Sequence, residues 1–369
     1  MKLTRLHLVQ YRNIGELEIF PSADTNLFSG RNGQGKTNLL ESIYFLAFGK
    51  SFRTANAKDC IRHGRAECLI EGTIEEGSLS RTLQVSVTKT EKKLLLRGKP
   101  VPLDEFVGNL HVLAFTREHL HAARGAPADR RAFLDRAMVT LYPGHLHALA
   151  VYGRSLKQRN RVLAAALEDP GRCNETLLGS WDEAIVKPGA KIISNRLRYV
   201  RQLKRELPRG LFGPEDLKMH YLSTLAEEEE DLASIEEVFR LRLLQARAKD
   251  LRTGYTSVGP HRDDLKLYVD GKSVADFASS GQQRSCMLSL YFAQMEIHRQ
   301  AHGFYPVFLV DDAEAELDTV RIDAFLNFLS LRTQTFLTSA KDFLLASNPG
   351  RTRRFEVQNG NILPVSGGA

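Results

Sequence analysis

The chain has 369 residues, enough for two or three domains, and its 43% hydrophobic and 26% charged content is that of an ordinary globular protein. No apolar run approaches a membrane span, the start Met1–Leu6 carries no signal-peptide core, and the four cysteines (Cys60, Cys68, Cys173, Cys286) show neither metal spacing nor a dense disulfide framework. A membrane component and a disulfide-built secreted domain are thereby set aside, a reducing cytoplasm is expected, and the net charge of +7 leans weakly toward a polyanionic partner.

Residues 3–9 alternate and read as a strand, Tyr11–Ile14 as a turn, and Leu17–Ile19 as a second strand. Asn26–Phe28 leads into Gly30-Arg31-Asn32-Gly33-Gln34-Gly35-Lys36-Thr37, after which Leu39, Leu40, Ile43 and Leu46 recur with helical spacing. From Cys68 to Leu103 the period changes to two, which predicts an antiparallel patch, and His111–Phe115 reads as a buried strand. From Arg117 to Arg252 the pattern is almost wholly helical. Within it, Glu227–Asp231 reads as a solvated acidic connector and Ser234-Ile235-Glu236-Glu237 as a capping box opening a helix. Leu265–Val269 and Lys272–Val274 flank the hairpin signal Asp270-Gly271. Gln283–Gln300 reads as a helix, Pro306–Val310 and Gln334–Thr338 as buried strands, and the tail around Asn359-Gly360 as a strand pair. The simplest architecture is α/β: one nucleotide-binding head built from residues 1–116 and 253–369, with 117–252 inserted as an all-helical lobe.

Gly30–Thr37 matches G-x-x-x-x-G-K-T in the strand–loop–helix context of a phosphate-binding P-loop. Glycines let successive N–H groups point at phosphate oxygens, and the helix that follows offers its positive end to the same anion. Lys36 would reach the β- and γ-phosphates of ATP, and the Thr37 hydroxyl would sit on Mg²⁺. Val307–Val310 is an apolar strand ending in Asp311-Asp312. Asp311 is the expected second Mg²⁺ ligand, direct or through water, and Asp312 stands where a carboxylate polarises the attacking water. Ser279-Ser280-Gly281-Gln282 opens a helix. It reads either as an ordinary cap or, by similarity to ATP-binding-cassette ATPases, as the S-x-G-Q element with which Ser279, Gly281 and Gln282 cap the γ-phosphate on an opposite subunit. Ala315-Glu316-Leu317-Asp318 falls at that superfamily's D-loop, with Ala315 in place of the common Ser, and Thr338 falls where many relatives carry a switch His.

Taken in order, these elements resemble the RecF family, bacterial DNA-repair ATPases akin to the SMC proteins. The resemblance runs along most of the chain: Tyr11-Arg12-Asn13, Gly30–Thr37, Gly49–Thr54, Arg130–Asp135, Lys157–Asn160, Gly259–Leu265, Ser279–Arg284 and Asp311-Asp312. It implies an ABC-type ATPase head. It also implies an ATP-dependent homodimer that binds double-stranded and single-stranded or gapped DNA, turns ATP over slowly, and loads recombinase with RecR and, indirectly, RecO. By the same resemblance Arg12 and Asn13 would contact the nucleotide. Two basic rows, Arg154, Lys157, Arg159, Arg161 and Arg198, Arg201, Lys204, Arg205, read either as solvated helix faces or as tracks for a phosphate backbone. His261-Arg262 receives no chemistry. A transporter's ATPase subunit, an ATP-binding scaffold without turnover and a small-molecule kinase fit less well. The basic insertion argues against the first, the paired carboxylates against the second and Ser279–Gln282 against the third.

Overall fold

The computed structural model describes residues 1–116, 122–169, 174–208, 216–226, 231–312, 325–330, 332–340 and 352–363. The chain divides into two compact units, one of Met1–His121, Pro208–Pro214 and Ser279–Ala369, the other of Ala122–Leu207 and Glu215–Ala278.

The first unit has three layers. An antiparallel sheet holds β1 (Lys2–Tyr11), β2 (Ile14–Ile19), β4 (Glu67–Glu76), β5 (Leu79–Thr88), β6 (Lys92–Leu96) and β7 (Lys99–Pro100) in the order β2-β1-β4-β5-β6-β7. A second sheet runs β15-β14-β3-β13-β12-β8 and comprises β3 (Thr25–Ser29), β8 (Val112–Phe115), β12 (Val307–Val310), β13 (Thr335–Ser339), β14 (Thr352–Gln358) and β15 (Asn361–Leu363). Its neighbours pair in parallel except for β14 and β15, which are joined antiparallel through the expected turn at Asn359-Gly360. Parallel strands need cover on both faces, which explains why every residue of Val307–Val310 is buried.

Between the sheets lies the helix Lys36–Phe48, apolar nearly all round. Leu39, Leu40, Ile43, Phe45 and Leu46 are fully buried, each contributing about 1.5–3 kcal/mol of transfer free energy. The buried carboxamide of Gln334 stitches the layers together. It accepts from Leu3 N at 2.8 Å and donates to Leu3 O at 2.9 Å and Ser22 O at 2.7 Å.

The second unit is not all-helical. It holds the helices Pro127–Met138, His145–Glu168, Glu175–Glu206 and Leu232–Thr253, together with a three-stranded sheet in the order β11-β10-β9. β9 (Leu217–Leu222) falls inside the stretch expected to be helical. Its side chains alternate between buried and exposed, and it pairs antiparallel with β10 (Asp264–Val269), which pairs in turn with β11 (Lys272–Ser273). That pairing draws residues 253–278 into the second unit, whereas the sequence pattern assigned them to the head. The helix expected to start at Ser234 starts at Leu232, because Asp231, the last residue of the acidic run, is its cap and accepts from Ser234 N at 2.9 Å.

The interior of this unit is ionic, and the motifs that carried the family resemblance form it. Arg130 makes a two-pronged pair with Asp264 at 2.6 and 2.8 Å, and Arg196 another with Asp135 at 2.9 and 2.8 Å. Burial opposes ionisation of Asp135, but the charge of Arg196 wins and lowers its carboxyl to about 2. Arg196 also donates to Pro260 O at 2.7 Å, and Arg131 to Asp263 O at 2.7 Å. Gly259 has φ +124°, and a Cβ there would lie 2.6 Å from the Tyr152 hydroxyl. His261 Nδ1 accepts from that hydroxyl at 2.7 Å, while its Nε2 donates to Thr256 O at 3.1 Å. Gly259–Leu265 is thus the knot of the unit's packing.

Candidate nucleotide-binding site

The adjacent parallel strands β3, β13 and β12 end on one edge of their sheet, in register through Phe28↔Thr338 and Val310↔Leu337. Ligands bind outside such carboxyl ends. The Gly30–Thr37 loop leaves the end of β3, Asp311-Asp312 the end of β12, and Thr338 lies near the end of β13. Thr37 Oγ1 donates to Asp311 Oδ1 at 2.9 Å across 274 residues of sequence, and Thr338 Oγ1 donates to the same oxygen at 2.7 Å. Asp312 N donates to Thr338 Oγ1 at 2.7 Å, and Asp312 takes φ +56°. Thr338 therefore holds the Asp311 carboxylate and the Asp312 backbone.

Lys36 is nearly buried, and its Nζ bridges Gly30 O at 2.5 Å and Arg31 O at 3.1 Å, closing the loop on itself. Gly35, with φ +112°, caps the helix, and a Cβ on it would stand 2.7 Å from Asn13 Oδ1. Asn13 donates to Gln34 O at 3.0 Å and accepts from Asn38 at 2.8 Å, so it braces the loop from behind. Beside the loop opens a cleft of about 490 Å³ lined by Gly30, Arg31, Gln34, Arg354 and Asn359 among others, a size usual for small-ligand sites. Gln34 anchors the β14–β15 turn, accepting from Asn359 N at 2.7 Å on its side chain and from Gly360 N at 2.9 Å on its carbonyl.

Arg12 departs from its expected role at the nucleotide. Its Nε and Nη2 bond Glu41 at 2.9 and 2.5 Å, and its Nη1 bonds Asp59 O at 2.7 Å. Burial would lower its pKa, but Glu41 outweighs burial and raises it. Glu41 is fully buried in the helix that follows the loop, and Ser51 and Arg53 also reach it. A carboxylate in the apolar run Leu39-Leu40-Glu41-Ser42-Ile43 must be paired, and that was the overlooked signal in the sequence.

Ser279 caps the helix Ser280–His302 in a complete capping box. Its side chain accepts from Gln282 N at 3.2 Å, and the Gln282 carboxamide accepts from Ser279 N at 3.0 Å. Gly281 lies in that first turn. Ala315–Asp318 lies outside the described residues.

Of the basic rows, Arg154, Lys157 and Arg161 share an exposed face. Arg159 does not: it is 0% exposed and bonds Asp182 at 2.6 Å, Asp250 at 2.7 Å and Thr256 at 2.9 Å. It continues the buried face Tyr152, Ser155, Leu163 and Ala166, so it is withdrawn as a DNA contact. On the helix Glu175–Glu206, Arg198, Arg201 and Arg205 are exposed and Lys204 is half-buried. Exposed Lys187 and Lys191 extend that row toward the helix N-terminus. Arg198 also lies over the Tyr142 ring, 5.1 Å from its centroid.

Residues 2–361 match the family described as the RecF/RecN/SMC N terminal domain. The chain is 34% identical to the DNA replication and repair protein RecF of Halothermothrix orenii, covering 98% of each. It is 33% identical to the protein of the same name from Bacillus subtilis, covering 98% of this chain and all of the other. Among solved structures it resembles the recombination mediator protein RecF-ATPrS in the RecFOR pathway, with TM-score 0.90 and 27% identity over 98% of this chain and 97% of the other. It also resembles RecF-ATP of the same pathway, with TM-score 0.88 and 26% identity over 99% of each chain. An Smc head bound to the C-winged helix domain of ScpA, at TM-score 0.52 and 13% identity over 99% of this chain and 98% of the other, shares the fold alone. A P-loop head of the RecF/SMC fold, with these relatives along its whole length, places the chain in the RecF family of DNA replication and repair proteins.

Proposed function

We propose that this chain is a cytoplasmic, ATP-gated DNA clamp of recombinational repair and replication-fork maintenance. The observation that carries the reading is the 2.9 Å contact between Thr37 and Asp311, which joins the P-loop to the carboxylate strand. Gly30–Thr37 cradles the phosphates of ATP, and Lys36 turns from the loop carbonyls to the β- and γ-phosphates. Thr37 and Asp311 fit Mg²⁺, because adjacent ligands of an octahedron with bonds of about 2.1 Å stand roughly 2.9 Å apart. When bound, Mg²⁺ supplies charge neutralisation at the β- and γ-oxygens. Asp312, held by Thr338, takes the proton of the attacking water.

Ser279, Gly281 and Gln282 of a second copy present a helix N-terminus to the γ-phosphate, so the nucleotide is sealed between two chains. The exposed rows Arg154, Lys157, Arg161 and Arg198, Arg201, Arg205 then grip double-stranded or gapped DNA through phosphates, with salt-dependent and sequence-tolerant affinity. Slow, DNA-stimulated hydrolysis releases the clamp. The RecFOR designation of the structural relatives supports RecR, and RecO indirectly, as partners in loading recombinase and supporting SOS induction. Light scattering of the full chain with ATP, with ADP and without nucleotide tests the reading. A dimer is expected with ATP only. A Lys36→Arg or Ser279→Arg variant that still dimerises with ATP overturns it.

A further inference from the structure

Away from the nucleotide site, three histidines of the first unit converge. His298 and His302 sit four residues apart on the helix Ser280–His302, one turn above the other on one face. His111 stands immediately before β8. The candidate ligand atoms of all three lie within 4.8 Å of one another. His111 and His298 are buried, while His302 is half-buried and leaves an entry path.

The hydrogen bonds settle which nitrogens carry protons. His111 Nε2 lies 2.9 Å from Gly108 O, and His298 Nδ1 lies 2.9 Å from Phe304 O. A carbonyl oxygen only accepts, so both of those nitrogens carry hydrogens. In a neutral imidazole that is the ring's single nitrogen-bound hydrogen. The remaining nitrogens, His111 Nδ1 and His298 Nε2, then bear lone pairs, and they face each other at 2.5 Å. Two lone pairs at that distance repel unless a cation lies between them. A shared proton would need only two rings, whereas a third imidazole, His302, converges on the same point, as a metal ion requires.

We propose that His111, His298 and His302 form a zinc site, with a fourth, water-bearing position on the side of His302. Neutral imidazoles suit Zn²⁺, and a three-histidine set with an open position is an established zinc geometry. The Gly108 and Phe304 carbonyls already hold the outer N–H groups, as outer-shell partners of zinc histidines do. Tetrahedral bonds of about 2.0 Å place ligand nitrogens roughly 3.3 Å apart, so the two buried rings separate by less than about 1 Å on binding. The ion ties the C-terminal end of the Ser280–His302 helix to the start of β8. Val307 N bonds His111 O at 2.9 Å at that end, and Asp311 N bonds Phe115 O at 3.0 Å at the other.

The test uses the full chain stripped with chelator and titrated with Co²⁺ in excess Mg²⁺, which occupies the P-loop site. A saturable visible absorption of tetrahedral cobalt, displaced by Zn²⁺, is expected, and His298→Gln and His302→Gln should each weaken cobalt uptake about tenfold or more. Metal analysis of the wild-type chain purified without chelator, expected to give one zinc per chain, keeps the proposal testable if a variant does not fold. Absence of a tetrahedral band in the wild type, or an unchanged band in both variants, overturns the site in favour of a shared proton.

Discussion

Thr338 donates its hydroxyl to Asp311 Oδ1 at 2.7 Å, the same oxygen that accepts from Thr37 at 2.9 Å. This residue near the end of β13 thus aims the carboxylate that faces the P-loop, and it also holds the backbone of Asp312. Replacement Thr338→Val keeps the shape but removes both bonds: Asp311 keeps Thr37 but loses its second hydroxyl donor, and the Asp312 N–H loses the hydroxyl that accepts from it. We predict a stability loss of about 1–2 kcal/mol and a fall of roughly tenfold in ATP turnover at little-changed KM. Thr338→Ser should restore turnover. Steady-state kinetics on the three proteins decide it, and an unchanged kcat in Thr338→Val removes the positioning role.

The two carboxylates should separate by phenotype. Asp311→Asn is expected to weaken Mg²⁺-dependent nucleotide binding. Asp312→Asn should bind nucleotide and dimerise normally yet lose on the order of a hundredfold in turnover. Nucleotide titration beside single-turnover hydrolysis distinguishes them, and equal losses in both assays would merge their roles.

Arginines on one helix should also separate. Arg159→Ala removes the buried cation that Asp182 and Asp250 share, leaving Asp182 with Arg247 and Asp250 with Ser257, and a cost of about 3–5 kcal/mol is expected in denaturant unfolding. Arg161→Ala should lie within about 0.5 kcal/mol of wild type. It should instead weaken DNA binding and reduce the slope of log affinity against log salt by about 0.9. A stable Arg159→Ala protein would contradict the ionic interior.

Acid should act on the buried histidines, His261 of the second unit among them, before it affects surface carboxylates. Burial lowers His261 to about 4 from the ordinary 6.5. Its folded value is depressed, so its stabilisation is full above 6.5 and is lost as pH falls from there toward 4. Asp135, lowered to about 2, adds a later loss below about 3.8. Melting temperature against pH should therefore decline from 6.5 downward, and His261→Gln should flatten that first limb by about one proton. A parallel decline in the variant would assign the limb to other groups.

The P-loop, the Asp311 strand and the Asn359-Gly360 turn were legible in the sequence because each is a local covalent pattern with one good backbone solution. Where partners lie far apart in sequence, legibility failed. Arg159 sits in a row of basic residues, and only the aspartates arriving from two other helices show that it faces inward. β9 looked helical because its strand partner lies beyond an intervening helix. Arg12 read as a phosphate contact because Glu41, its true partner, lies 29 residues on. Ser279–Gln282 was legible as a helix cap. Its proposed γ-phosphate role would be played toward a second chain.

The paired Arg–Asp interior of the second unit has an electrostatic consequence. Arg130, Arg159 and Arg196 are each matched by aspartates at hydrogen-bond distance, so the core of that unit is close to electroneutral. It therefore holds none of the chain's net +7. The positive excess lies with residues outside that core, where a polyanion can sense it at a distance and salt can screen it.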